Sequence, residues 1–143
     1  MKAYPTWFYI SLLIALFGLA ISGLLLIPTS LEMRFEWDVF WRLSGEQRLV
    51  SVAIHTTLSY LILVKIGALS RVHMQAGLKN KRNRISGISL IILFTLLALT
   101  GVGLFYLGEE SWILPTSSLH IFAGIALIGV FTSHFIFKPK PQS

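Results

Sequence analysis

The stretch from Ser117 to Phe137, SSLHIFAGIALIGVFTSHFIF, is apolar enough to lie in a lipid bilayer, yet it carries two histidines, His120 and His134. A bilayer core requires about 20 consecutive, mostly apolar residues per helix. An ionisable side chain inside a membrane is costly and usually serves a function. The stretch therefore predicts a membrane-spanning helix with a functional site, and one other apolar segment of the chain also carries histidines.

The composition agrees with a membrane protein. The chain has 143 residues, of which 55% are hydrophobic and 13% are charged, and its mean hydropathy is +0.75. Soluble domains carry about 25% charged residues. There is no cysteine, which excludes disulfides, thiolate-bound iron–sulfur clusters and the covalent attachment of a c-type haem. No phosphate-binding loop, H-E-x-x-H, G-x-S-x-G or DNA-reading helix is present in the sequence, so no nucleic-acid partner is expected.

Four segments are long and apolar enough to span a bilayer: about 7–27, 49–70, 88–107 and 117–137. Pro28 is predicted to end the first span, because a proline cannot continue the backbone hydrogen bonding of a helix. The sequence thus predicts an all-α fold, a transmembrane four-helix bundle, with residues 1–143 forming a single integral membrane domain.

The charges predict the orientation of the four spans. Eight basic residues fall on one side of the four-span arrangement and all six acidic residues fall on the other. Because positive residues mark the cytoplasmic side, we expect both termini and the 71–87 loop to face the cytoplasm of a bacterial inner membrane. The basic residues are Lys2, Arg71, Lys79, Lys81, Arg82, Arg84, Lys138 and Lys140. The acidic residues are Glu32, Glu36, Asp38, Glu46, Glu109 and Glu110.

The predicted outer loop, residues 28–48, has an ambiguous pattern. Leu31, Met33 and Phe35 alternate with polar residues, which is the period of a strand. Met33, Trp37 and Trp41 also lie on one face of a helix. In either conformation one side is apolar, and we expect it to rest on membrane lipid or on a partner.

All four histidines lie on two of the four spans or at their ends. Each residue of an α-helix turns the chain by about 100°, so His55 and His73 share one face of the second span, and His120 and His134 lie about 40° apart on the fourth. Spans two and four run in the same direction. This places His55 with His120 near the outer surface and His73 with His134 near the inner surface.

Two imidazoles, one from each helix, are the axial ligands that a haem macrocycle accepts. The sequence therefore predicts two b-type haems, with His55, His120, His73 and His134 as the iron ligands. The 18-residue spacing in the second span exceeds the 14-residue spacing in the fourth by about 6 Å of helix rise. If His73 is not a ligand, one haem is expected. Gly124 lies one turn from His120, where it either makes room for a porphyrin or packs against another helix.

These residues resemble a small bacterial dihaem membrane cytochrome b, of the superfamily that includes the cytochrome b subunits of quinol–cytochrome c reductases, hydrogenases and formate dehydrogenases. The resemblance covers about residues 50–137 and is carried mainly by HIFAGIALIGVFTSH, in which the histidines are 14 residues apart. It implies that both haems lie between spans two and four. The second span departs from the family spacing, and the first span has no histidine.

The resemblance also suggests residues and partners. Arg48 or Arg42 would neutralise the propionates of the outer haem, and Arg71 or Arg84 those of the inner haem; the alternative for each is a role at the lipid interface. The implied function is transmembrane electron transfer, as an oxidoreductase subunit linking a quinone pool with a periplasmic c-type cytochrome or another redox subunit. The alternative is a non-catalytic scaffold or pigment-binding subunit of a respiratory or photosynthetic complex.

Overall fold

The computed structural model describes residues 4–79 and 84–136. Within these ranges the regular structure is entirely helical. Four of the helices are long and apolar enough to cross a membrane, which confirms the predicted all-α, four-helix transmembrane class. The elements in chain order are α1 (Thr6–Phe35), α2 (Gly45–Leu69), a π-helical turn (Ser70–Met74), α3 (Gln75–Lys79), α4 (Arg84–Tyr106) and α5 (Glu110–Ile136).

Helix α1 continues through Pro28, so the prediction that this residue ends the first span is wrong. Proline has no backbone N–H, so the carbonyl of Leu24 loses the hydrogen-bond donor that a different residue at position 28 would supply. In an apolar environment, ending the helix there would leave several unpaired backbone groups, which costs more than the loss of one bond. The helix ends instead at Phe35. The C-cap residue Glu36 has the left-handed conformation (φ 53°), and Trp37 donates its backbone N–H to the carbonyl of Leu31 at 3.2 Å. This is a typical helix C-cap.

The predicted outer loop is partly helical and contains no strand. Residues up to Phe35 belong to α1, and residues 36–44 have no regular structure. Helix α2 then begins with a reciprocal cap: the backbone N–H of Ser44 donates to Gln47 Oε1 at 3.1 Å, and the backbone N–H of Gln47 donates to Ser44 Oγ at 3.4 Å. This S-x-x-Q capping box explains why the helix starts here.

The segment after α2 is helical as well. The π-helical turn Ser70–Met74 and α3 follow α2 directly and occupy the first part of the predicted cytoplasmic loop. Several residues used to predict the orientation lie outside the described ranges, as does residue 137, the predicted end of the fourth span. These residues are Lys2, Lys81, Arg82, Lys138 and Lys140.

The chain divides into two compact units, Met1–Ala68 and Leu69–Ser143. In the first unit α1 and α2 are antiparallel, as their side-chain contacts show: Ser22 meets His55, and Ser11 meets Lys65. The buried face of α1 recurs every seventh residue, at Phe8, Ala15, Ser22 and Thr29. Small side chains at the middle two positions let the helices approach closely.

In the second unit α4 and α5 are antiparallel over most of their length. Contacts join Ser86 to His134 and Thr100 to His120. Many large apolar side chains of both helices point outward, including Leu99 and Phe122, which are 67% and 71% exposed. Such a surface is suited to lipid.

The close approach at Gly18 is testable. A Cβ at this position would lie 2.8 Å from Leu58 Cδ1, whereas a Cβ at Gly129 would meet no described atom within 4 Å. Overpacking typically costs about 1–3 kcal/mol. We therefore expect Gly18→Val to lower the free energy of unfolding by about that amount in detergent, and Gly129→Val to have a smaller effect. Equal losses in the two variants would contradict the packing described for α1 and α2.

Candidate functional site

His120 is held by a hydroxyl of the neighbouring helix. Its Nδ1 lies 2.8 Å from Thr100 Oγ1, and Thr100 Oγ1 also donates to the carbonyl of Leu96 at 2.8 Å. A hydroxyl has a single proton. If that proton goes to the carbonyl, Nδ1 of His120 is the donor in the bond to Thr100. We therefore predict the Nδ1–H tautomer for this ring, with the lone pair on Nε2.

His55 is held in the same way in the first unit. Its Nδ1 lies 3.0 Å from Ser22 Oγ, and the hydroxyl of Ser22 donates to the carbonyl of Gly18 at 2.8 Å. His55 also hydrogen-bonds to the backbone of Leu19. The same proton count predicts that His55 donates from Nδ1. The predicted tautomer of both histidines has its lone pair on Nε2, which is the form a metal ligand requires when the other ring nitrogen is hydrogen-bonded.

His134 contacts both a serine and another histidine in the second unit. Its Nδ1 lies 2.8 Å from Ser86 Oγ. Its ring also faces His73, with 6.4 Å between the ring centroids and 69° between the planes. The structure thus brings together the two histidines that the sequence assigned to the inner level.

His73 is the exception among the four. It lies in the π-helical turn Ser70–Met74 rather than in an α-helix, and its side chain is exposed. Within residues 4–79 and 84–136, the contact found for its ring is His134. The 18-residue spacing from His55 therefore does not follow one uninterrupted α-helix.

A glycine follows each of the three hydroxyl residues and lies against the same ring. Added Cβ atoms would lie 3.1 Å from His55 Cε1 at Gly23, 3.6 Å from His120 Cε1 at Gly101 and 3.9 Å from His134 Cε1 at Gly87. Each of these rings is thus supported by a hydroxyl–glycine dipeptide: Ser22-Gly23, Thr100-Gly101 or Ser86-Gly87. A larger residue at Gly23 would displace the imidazole of His55.

Sequence reasoning missed these dipeptides, because small and hydroxyl residues are also common where membrane helices pack together. A signal was present. Ser86 and Thr100 are 14 residues apart, the same spacing as His120 and His134. Because α4 and α5 are antiparallel, the equal spacing lets each hydroxyl contact one histidine: Ser86 contacts His134, and Thr100 contacts His120. The fourth such dipeptide in the sequence, Ser44-Gly45, lies instead at the start of α2.

The remaining predicted site residues are placed as follows. A Cβ at Gly124 would meet no described atom within 4 Å, so this glycine makes no close helix contact within the described chain. Arg48 Nη1 lies 2.8 Å from Met33 Sδ, and Arg42 pairs with Glu32 at 2.7 Å. Arg71 belongs to the π-helical turn, and its side chain lies outside the description.

Two imidazoles alone do not make a typical protein metal site. Among the described residues there is no group of three or more histidine, aspartate or glutamate side chains that would hold a metal ion. Structural zinc sites use four protein ligands and catalytic ones use three.

Comparisons of the chain with protein-family models, with curated proteins and with solved structures gave no match. The resemblance to a membrane cytochrome b stays a prediction from sequence, as does the pairing of His55 with His120.

The tautomers of His55 and His120 can be measured. In cofactor-free protein with ¹⁵N-labelled histidine, we expect NMR shifts typical of the Nδ1–H form for both rings. Thr100→Val keeps the shape of the side chain but removes the acceptor, so the His120 signals should move toward a mixture of tautomers. Thr95→Val is the matched control, because within residues 4–79 and 84–136 the Thr95 hydroxyl bonds to the carbonyl of Ile91 on its own helix. Finding His120 in the Nε2–H form in the unaltered protein would contradict the arrangement.

Proposed function

We propose that the protein is a transmembrane electron-transfer cytochrome b, with one haem ligated by His73 and His134 and a second by His55 and His120. The observation that carries the proposal is the 6.4 Å between the ring centroids of His73 and His134. A metal–imidazole nitrogen distance is about 2.0–2.1 Å. Since a ring nitrogen lies roughly 1 Å from the ring centre, two imidazoles on opposite sides of one metal have centres roughly 6 Å apart.

The donor set fits a haem. A porphyrin supplies four nitrogens in a plane and leaves two axial positions, which is the number of ligands that a histidine pair provides. Each protein ligand must be a neutral imidazole with a lone pair on the ligating nitrogen. The hydrogen bonds of His55 to Ser22 and of His120 to Thr100 support this form.

When bound, haem supplies one-electron redox chemistry. The chain's own residues hold and orient the ligands. Ser22, Thr100 and Ser86 fix three imidazole rings, and such second partners typically change metal affinity by about 10–100-fold when removed. The apolar helices exclude water, and two haems near opposite membrane surfaces would carry electrons across the bilayer.

The partners follow from this role. We propose a quinone or quinol in the membrane and a periplasmic c-type cytochrome or other redox subunit as donor and acceptor, with this chain as a subunit of a larger oxidoreductase. The proposed location is the bacterial inner membrane with both termini in the cytoplasm, as the charge distribution favours. Arg48 on the outer side and Arg71 on the inner side are proposed to face haem propionates.

Haem content tests the proposal. Purified protein should show a Soret band and a sharp α band on reduction, and His134→Ala and His120→Ala should each remove about half of the haem. Ser118→Ala is the control, because Ser118 lies close to His120 but bonds to the carbonyl of Leu114. A chlorophyll-type red or infrared band would favour the pigment-binding alternative. Protein without any pigment would favour the scaffold.

The orientation has its own test. Single cysteines at Gln75, in α3, and at Ser44, before α2, lie on opposite sides of the proposed membrane arrangement. We expect the cysteine at 75 to react with an impermeant thiol reagent only from the cytoplasmic side of inverted vesicles, and the one at 44 only from the outside of cells. The reverse result would overturn the proposed topology, whether or not haem is bound.

A further inference from the structure

Lys65 is a buried cation inside a membrane-spanning helix. It lies in α2 and is only 8% exposed. Its Nζ donates to Ser11 Oγ at 2.7 Å and lies 4.6 Å from the centre of the Phe8 ring. Both partners belong to α1, and neither carries a charge. A charged side chain within a membrane is costly and usually has a function, and the electron-transfer role proposed above does not yet use this one.

No acidic side chain of α1 or α2 lies near Lys65. The sequence has no aspartate or glutamate in residues 1–31 or 47–108. At 1.5 Å of rise per residue, Glu46 is about 28 Å from Lys65 along α2, and Glu32 is about 31 Å along α1 from the serine that Lys65 contacts. A hydroxyl and an aromatic ring orient an ammonium group without neutralising it. The positive charge is therefore uncompensated within the helix pair.

This charge lies on the same helix as His55, a proposed haem ligand. The two residues are separated by about 15 Å of helix rise. Both side chains point toward α1, since His55 contacts Ser22 and Lys65 contacts Ser11. Ile62, which lies between them on α2, is 1% exposed, so apolar side chains rather than water fill this interface. Over about 15 Å, at an effective dielectric constant of about 20, two unit charges change an equilibrium constant by about fivefold.

We propose that Lys65 raises the reduction potential of the haem held by His55 and His120. The inference rests on the proposed function, since it requires that haem. Reduction adds one electron, and therefore one negative charge, to the haem site. The fixed positive charge of Lys65 attracts this added charge and stabilises the reduced form relative to the oxidised form. Because the potential determines which donors can reduce the haem, Lys65 helps to select the redox partner.

The burial of Lys65 favours this role at a distance over direct binding of a quinone or a lipid phosphate. A ligand that bonded to Nζ would have to displace Ser11 or Phe8, which hold the ammonium group between the two helices. An electrostatic effect needs no contact. It also increases where water is excluded, because the effective dielectric constant is lower there.

Potentiometric titration of haem-loaded protein tests the inference. Lys65→Met removes the charge and keeps an unbranched side chain, whereas Lys65→Arg keeps the charge. The relevant transition is the one that His120→Ala removes. In Lys65→Met, the ratio of reduced to oxidised haem at a fixed ambient potential should fall by about fivefold, a shift of about 40 mV for a one-electron couple. Lys65→Arg should stay close to the unaltered protein. Because the charge is buried, the difference should be similar at about 0.01 M and about 1 M salt.

Cofactor-free protein gives a second measurement that does not depend on haem. Removing an uncompensated buried charge should stabilise the helix pair. We therefore expect cofactor-free Lys65→Met to unfold at a higher temperature than the unaltered protein. Ser118→Ala, which leaves all charges unchanged, should keep both its haem potential and its unfolding temperature. A lower unfolding temperature for Lys65→Met would show that the charge is compensated, which overturns the inference.

Two results of the titration would also overturn the inference. One is a potential in Lys65→Met that is equal to or higher than that of the unaltered protein. The other is an equal fall in Lys65→Met and Lys65→Arg, because that fall would arise from packing and not from charge. If Lys65→Met does not retain haem, Lys65→Gln takes its place with the same expected outcomes. Unaltered protein that binds no haem would overturn the proposed function itself, which is a separate outcome.

Discussion

The hydrogen bond between an imidazole Nδ1 and a hydroxyl of the neighbouring helix is the interaction on which the arrangement of the histidines depends. Ser22 and Thr100 lie 2.8 Å from carbonyls of their own helices and within 3.0 Å of the ring nitrogens of His55 and His120. Each hydroxyl thus connects the backbone of its own helix to an imidazole of the neighbouring helix. This contact fixes the position of each ring relative to the helix on which the hydroxyl lies.

The same bonds relate the site to the packing of the helices. A glycine beside each hydroxyl lets the imidazole lie against the backbone of the adjacent helix, so the ring fills the space that a side chain would take. Along α4 and α5 the hydroxyls and the histidines have equal spacing and opposite direction. A change of one residue in either spacing would rotate one partner away by about 100°. The 14-residue spacing of the hydroxyls on α4 must therefore match that of the histidines on α5, both for the helices to pack and for the rings to be held.

The four long helices could be predicted from sequence because each apolar run exceeds the thickness of a bilayer, and the histidines stood out because ionisable groups are rare in such runs. The prediction at Pro28 was wrong because proline ends helices mainly where water can bind the unpaired backbone groups. In an apolar environment no water is available, so the helix continues through the proline. Ser22, Thr100 and Ser86 were missed for a different reason. Small and hydroxyl residues also serve to pack membrane helices, and only the contacts separate the two roles.

The π-helical turn at Ser70–Met74 could not be read from the sequence, because it is a choice between backbone hydrogen-bond patterns and not a matter of composition. It bears on the one poor fit in the sequence argument, the longer spacing between His55 and His73. That spacing was measured on an ideal α-helix, which the structure does not have at His73. The extra length calculated for an ideal helix therefore does not prevent the ring of His73 from lying 6.4 Å from that of His134.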